Sequence, residues 1–223
     1  MMGRPLAIDL FCGLGGWTEG LLAEGYDVIG FDITRHVYGE HRYPAQLVLQ
    51  DVRTLDGSQF RAAALIVASP PCQAYSYRAM PWKRAKALPP PDNTLFEACF
   101  RIQREASAAA GHRIPLVVEN VKGAQKWVGR ARWNVGSFYL WGDVPALMPI
   151  GVGGRKNSGG SWFKVAHNTS SGRGVNPDGR MWRRDPMASA GSGSVRRAAA
   201  AALIAKIPLP LSQHIARSWR PLD

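Results

Sequence analysis

The sequence predicts a doubly wound α/β fold. Three observations carry that expectation. Apolar, β-branched runs of strand length recur through the first two thirds of the chain. The first of them leads into a glycine-rich turn and then a helix, the opening unit of a nucleotide-binding sheet. The second and third each end near an aspartate, and ligands of open α/β sheets bind outside the carboxyl ends of the strands. A length of 223 residues suits one such domain with a small appendage.

Composition narrows the partners. The net charge of +12 argues for a polyanion, with nucleic acid first. The 46% hydrophobic fraction is ordinary for a globular chain. Three cysteines, Cys12, Cys72 and Cys99, are too few and too scattered for a disulfide framework or a zinc site, so no metal is expected. They fit a reducing cytoplasm. No run of about 18 apolar residues exists, so no membrane partner is expected. The first residues run straight into a strand, and no secretory signal is expected. There is no internal repeat.

Taken in order, Pro5-Leu6-Ala7-Ile8-Asp9-Leu10 reads as the first strand and Phe11-Cys12-Gly13-Leu14-Gly15-Gly16 as the turn after it. The glycines admit positive φ and close approach of backbone to a ligand; plain helix–sheet packing uses the same pattern. Residues 17–26 read as a helix with Thr18 as its cap. Asp27-Val28-Ile29-Gly30-Phe31-Asp32-Ile33 reads as the second strand. Its acid comes about 20 residues past the turn, where an acceptor for ribose hydroxyls is expected; a capping or solvated aspartate would look alike. Residues 46–52 read as a third strand that reaches Asp51 and Val52. Ala64-Leu65-Ile66-Val67 has the length and branching of a buried strand.

That strand delivers Ala68-Ser69-Pro70-Pro71-Cys72-Gln73-Ala74-Tyr75-Ser76. A lone Pro-Cys pair usually marks an inert core cysteine. Here two prolines fix φ and restrict their predecessors, which aims the thiol. Residues 80–93 form a basic, proline-rich loop. Asn93 or Thr94 caps a helix through Ala110, with Leu95, Cys99, Ile102 and Ala106 on one face. Residues 115–118 read as a fifth strand closed by Glu119-Asn120-Val121. Arg130-Ala131-Arg132 precedes residues 135–142, which read as one strand. Between 150 and 197 there are nine Lys or Arg against two acids, ten glycines, and Trp162, Phe163 and Trp182. Such loops suit a nucleic-acid surface; a disordered basic linker has the same composition. Residues 198–219 read as helical, interrupted by Ile207-Pro208-Leu209-Pro210.

These motifs, in this order, resemble the C5-cytosine-specific DNA methyltransferase family over residues 5–142. The resemblance implies a Rossmann-like S-adenosylmethionine-dependent methyltransferase fold with a short basic target-recognition region. It implies S-adenosylmethionine as cofactor, with Phe11 on the adenine and Gly13, Leu14, Gly15 and Gly16 admitting the methionine part. Asp32 and Ile33 match the ribose-binding acid and its neighbour and Asp51 and Val52 the adenine-binding pair, while Pro71, which opens the Pro71-Cys72-Gln73 match to the nucleophile loop, is expected to join the cofactor-binding residues. Cys72 matches the nucleophile and Glu119 the glutamate motif. Arg130 and Arg132 resemble the paired arginines that support the target base. Gln73, Ser76, Arg155, Lys156, Lys164, Arg173, Arg180, Arg183 and Arg184 are expected to meet the nucleic acid, double-stranded DNA first. Residues 1–142 would be the catalytic and cofactor-binding core, 143–195 a reduced target-recognition region, and 196–223 a helical segment returning to the core.

The sequence departs from the family pattern in places. Val128 stands where a glutamine usually precedes the arginines. Ala205-Lys206 stands where an asparagine precedes a Val-Pro-Pro-like run, which bears on how the methionine end of the pocket closes and on cofactor preference. The expectation is a monomeric, cytoplasmic DNA (cytosine-5-)-methyltransferase of bacterial or phage type, acting on a flipped base and tied to restriction–modification. Two other readings share these motifs: the same chemistry on RNA, and an inactive DNA-binding relative, against which intact Cys72 and Glu119 argue.

Overall fold

Strand pairing in a computed structural model builds a seven-stranded sheet in the order Gln46–Leu49, Asp27–Asp32, Leu6–Leu10, Ala63–Ala68, Leu116–Asn120, Phe138–Gly142 and Trp133–Val135. The structure describes residues 3–76, 89–148 and 195–221. The strands are β1 (Leu6–Leu10), β2 (Asp27–Asp32), β5 (Gln46–Leu49), β6 (Ala63–Ala68), β7 (Leu116–Asn120), β8 (Trp133–Val135) and β9 (Phe138–Gly142). A separate two-stranded hairpin, β3 (Val37–Tyr38) and β4 (His41–Arg42), lies between β2 and β5 in the chain. The pairs β5–β2, β2–β1, β1–β6 and β6–β7 are parallel; β9 runs antiparallel to both β7 and β8.

The central strands are apolar on both faces because helices cover both. Ile8, Leu10, Ile66, Ala68, Leu116 and Val118 pack on one side, with Cys99, Ile102 and Ala106 of α2 (Thr94–Ala110). The alternate residues Ala7, Leu65, Val67 and Val117 pack on the other, with Trp17 and Leu21 of α1 (Gly16–Ala23) and Leu211 and Ile215 of α5 (Leu209–Ser218). The switch of side at each residue is the pleat of a strand buried on both faces. Two further helices are α3, a single turn (Gln125–Val128), and α4 (Val195–Ala205). Pro208 caps α5, and a proline in its first turn costs no hydrogen bond there.

Several local expectations need correction. Thr18 is not a cap. The helix starts at Gly16 after Gly15 in the left-handed conformation (φ 78°), and Thr18 lies inside it, fully buried. The helix ends at Ala23 rather than continuing to Tyr26, because Gly25 turns the chain at φ 81° into β2. The third strand stops at Leu49, since the Asp51 carboxylate accepts the Arg53 N–H and caps a 3₁₀ turn over Val52–Thr54. Residues 135–142 are not one strand: Val135 pairs with Phe138 across Gly136 and Ser137, and Gly136 has φ 56°. A two-residue hairpin loop needs positive φ, which glycine supplies at little cost. Residues 77–88, which take in most of the expected 80–93 loop, and residues 149–194 of the expected 143–195 recognition region, with Arg155, Lys156, Lys164, Arg173, Arg180, Arg183 and Arg184, lie outside the described residues.

Candidate active site

The chain reverses direction across the sheet between β1 and β6, and the carboxyl ends of β1, β2, β6 and β7 open onto one cavity of about 420 Å³. This is where an α/β sheet holds ligands. Phe11, Gly13, Leu14 and Gly16 line it from the turn after β1, and Asp32 and Ile33 from the end of β2. Asp51 and Val52 line it from beyond β5, Pro71, Cys72 and Gln73 from beyond β6, and Glu119 from β7. Of the sixteen residues that the sequence placed at the site between Phe11 and Arg132, twelve are thus gathered at one opening; Gly15, Ser76, Arg130 and Arg132 are not among its lining. Gly15 is buried against Tyr43 and Pro44, and the two arginines are exposed near β8.

The glycine turn is held in a specific shape. Phe11 has φ 58°, a left-handed conformation that costs a non-glycine residue on the order of 1 kcal/mol and persists only where surroundings enforce it. Cys12 N–H donates to the Phe31 carbonyl at 3.2 Å, and Gly13 N–H donates to Asp32 Oδ2 at 3.0 Å. Asp32 Oδ1 accepts from Thr34 N–H at 3.1 Å. Each carboxylate oxygen keeps a lone pair for a further donor, such as a ribose hydroxyl. Asp51 is more committed. Arg53 binds both of its oxygens through Nε and Nη2, which holds the carboxyl below its usual range.

The Cys72 loop is pinned from three sides. Ser69 N–H donates to the Leu10 carbonyl at 3.2 Å, and the Trp17 indole N–H donates to Ser69 Oγ at 3.0 Å. Asn120 Nδ2 donates to the Pro70 carbonyl at 2.9 Å, while its Oδ1 accepts the Val121 N–H. Beyond the thiol, Tyr75 and Ser76 N–H both donate to the Cys72 carbonyl. Tyr75 is buried and its hydroxyl donates to Asn93 Oδ1 at 2.9 Å. Cys72 is half-buried, whereas Cys12 and Cys99 are buried and burial pushes both of those thiols up, away from the thiolate. Glu119 is 7% exposed at the end of β7.

Asp9 lies beneath the turn, 1% exposed. The Thr18 hydroxyl donates to its Oδ2 at 2.6 Å and lies 2.7 Å from the Tyr43 hydroxyl. Asp9 Oδ1 has no partner among the described residues. Desolvation pushes this carboxyl up to about 7, the Thr18 hydrogen bond opposes the rise, and the Asp32 charge adds to it.

Sequence reasoning missed several lining residues: Trp17, Thr34, His36, Arg53, Ser69, Leu95, Ala202 and Ile207. Most reach the cavity by tertiary packing, and no local pattern marks them. Asn120 carried a signal in standing beside Glu119. Its work is done by backbone contact with the loop.

The cavity suits an adenosine-bearing cofactor such as S-adenosylmethionine. Space is open where a side chain on Gly13 would project, the Asp32 carboxylate lies beside the turn, and the volume is that of a small-molecule site. Among the described residues no cluster of three or more His, Cys, Asp or Glu could hold a metal ion, and no helix is long and apolar enough to cross a membrane.

No curated protein sequence matches the chain. Among solved structures it is similar to a protein described as a DNA modification methyltransferase encoded within an E. coli prophage, at 22% identity over 56% of this chain and 34% of that one, TM-score 0.38. It is similar to the Dnmt2 methyltransferase of S. pombe at 18% identity, over 55% of this chain and 36% of that one, TM-score 0.36. A methyltransferase of Entamoeba histolytica, EhMeth, is similar at 18% identity over 56% and 40%, TM-score 0.40. The matched part of the chain thus spans 34–40% of the length of these three proteins. The family model for C-5 cytosine-specific DNA methylases matches residues 6–134, from the start of β1 into β8 and across every strand that opens onto the cavity, and the chain belongs to that family.

Proposed function

We propose that the chain is an S-adenosylmethionine-dependent DNA (cytosine-5-)-methyltransferase with Cys72 as nucleophile. The observation that carries this reading is that Cys72 and Glu119 line one cavity with the glycine turn and Asp32. C5 of cytosine is too poor a nucleophile to attack a sulfonium methyl unaided. Addition of the Cys72 thiolate at C6 raises electron density at C5, which is covalent catalysis. Glu119 would hold the proton at cytosine N3 that balances the charge gathering on the ring. When bound, S-adenosylmethionine supplies an activated methyl group. Asp32 would take the ribose, Asp51 and Val52 the adenine, Phe11 the adenine face, and the 13–16 turn the methionine part. Loss of the C5 proton to a base then expels Cys72 and restores the ring.

C6 is out of reach within a duplex, so the target cytosine would leave the stack. Arg130 and Arg132 would support the base or its phosphate. The basic segment 143–195 would serve as a reduced recognition region, and few base-edge contacts there imply a short target. A cytoplasmic monomer of a bacterium or phage-infected cell is the corresponding setting. Incubation with labelled cofactor and separate DNA and RNA substrates, followed by nucleoside analysis, tests the reading. Label in DNA 5-methylcytosine supports it. Label in RNA alone moves the substrate to RNA, and label on adenine overturns the chemistry.

A further inference from the structure

We propose that Lys206 binds the carboxylate end of the cofactor, exchanging its resting partner Glu19 for it; this rests on reading the cavity as an S-adenosylmethionine site. Lys206 and Ile207 line the cavity from the segment that joins α4 to α5, beside Ala202 and Ala205 of α4. The segment is fixed. Ile207 is 4% exposed and packs in the core that holds Trp17, and a side chain on Gly16 would run into the Ile207 backbone nitrogen. The stem of Lys206 therefore lies over the glycine turn: its Cγ is 3.1 Å from where a Gly16 Cβ would sit.

Charge gives the assignment its direction. The described residues lining the cavity carry three carboxylates, Asp32, Asp51 and Glu119, and two permanent cations, Arg53 and Lys206. Arg53 is spent on both oxygens of Asp51, on the β5 side. Lys206 supplies the cation at the glycine turn. Its ammonium donates to Glu19 Oε1, and the two side chains are 25% and 40% exposed. An ion pair this open to water is weak and exchangeable. Glu19 sits in the first turn of α1, where an acid is favoured on its own account, so it can release the lysine cheaply. A ligand carboxylate arriving over the turn meets an ammonium already held at the rim, and a charge-assisted hydrogen bond of that kind is among the stronger ones.

S-adenosylmethionine and decarboxylated S-adenosylmethionine differ by this carboxylate alone, and calorimetric Kd values for both, on the full chain, read the proposal without turnover. The wild type is expected to prefer the carboxylated ligand by about tenfold or more. Lys206→Met, which keeps the stem, is expected to bring the two Kd values within about twofold of each other. Lys206→Arg, which keeps the charge and the tie to Glu19, is expected to retain the preference. A preference unchanged in Lys206→Met, with both ligands still binding, would show that the Lys206–Glu19 pair only fastens the C-terminal segment and would overturn the proposal. Failure of the wild type to bind either ligand would instead overturn the cofactor reading. Should Lys206→Met fail to fold, the Arg variant and the wild-type ratio decide: no carboxylate preference in either contradicts the assignment.

Discussion

Replacing Asp9 with asparagine should remove a large pH dependence of stability. The Asp9 carboxyl rises from 3.8 to about 7 on folding, chiefly through desolvation. Between those values the folded state binds more protons than the unfolded state, so stability falls as pH rises. The loss begins above the unfolded value and is complete above about 7. A rise of roughly 3 units at 1.36 kcal/mol each gives a loss of about 4 kcal/mol between pH 4 and pH 8. That is a large share of a typical domain's 5–15 kcal/mol, taken as a rough range. Asparagine still accepts from Thr18 at Oδ1. It leaves an amide where Oδ1 is now unpartnered, at a cost of about 1–3 kcal/mol that does not vary with pH. Urea unfolding measured from pH 4.5 to 8.5 tests this. The wild type should lose most of that stability over the range, and Asp9→Asn should lose clearly less. Parallel curves for the two proteins would refute the claim that Asp9 is buried with a raised pKa.

Other expectations follow from single contacts. Asn120→Ala frees the Pro70 carbonyl, so the rate of methyl transfer should fall by about 10–100-fold through a loosened Cys72 loop, with the cofactor Kd within about twofold; equal losses in both would point to general unfolding. Asp32→Ala removes the acceptor of the Gly13 N–H and should weaken cofactor binding by about 1–3 kcal/mol by calorimetry. Gly20→Ala drives a methyl into Ser212 and Gln213 of α5, and should destabilise the chain by about 1–3 kcal/mol in urea titrations through the α1–α5 contact.

The strands that build the site were legible because burial on both faces leaves long apolar runs, as in Ala64 to Val67 and Leu116 to Val118. The acids and the cysteine were legible because each lies at the end of such a run or within a few residues after it. What was not legible depends on tertiary contact. Thr18 resembles a helix cap in sequence, yet its hydroxyl is claimed by Asp9 and Tyr43. The β3–β4 hairpin comprises two-residue strands with polar residues and has no periodicity to read. Gly136-Ser137 did carry a turn signal, hidden inside an otherwise continuous apolar run. The link from Trp17 to Ser69 joins residues 52 apart and leaves no local trace.

The central claim, that Cys72 attacks the cytosine ring, is tested most directly by trapping. DNA containing 5-fluorocytosine, mixed with the protein and S-adenosylmethionine, blocks the final loss of the C5 substituent and holds the adduct. Peptide mass spectrometry of the denatured product should find the fluorinated, methylated base on the peptide carrying Cys72, and Cys72→Ser should give no adduct while keeping cofactor affinity. Methylation of ordinary DNA by the wild type without any adduct at Cys72, or an adduct on Cys12 instead, would contradict the account.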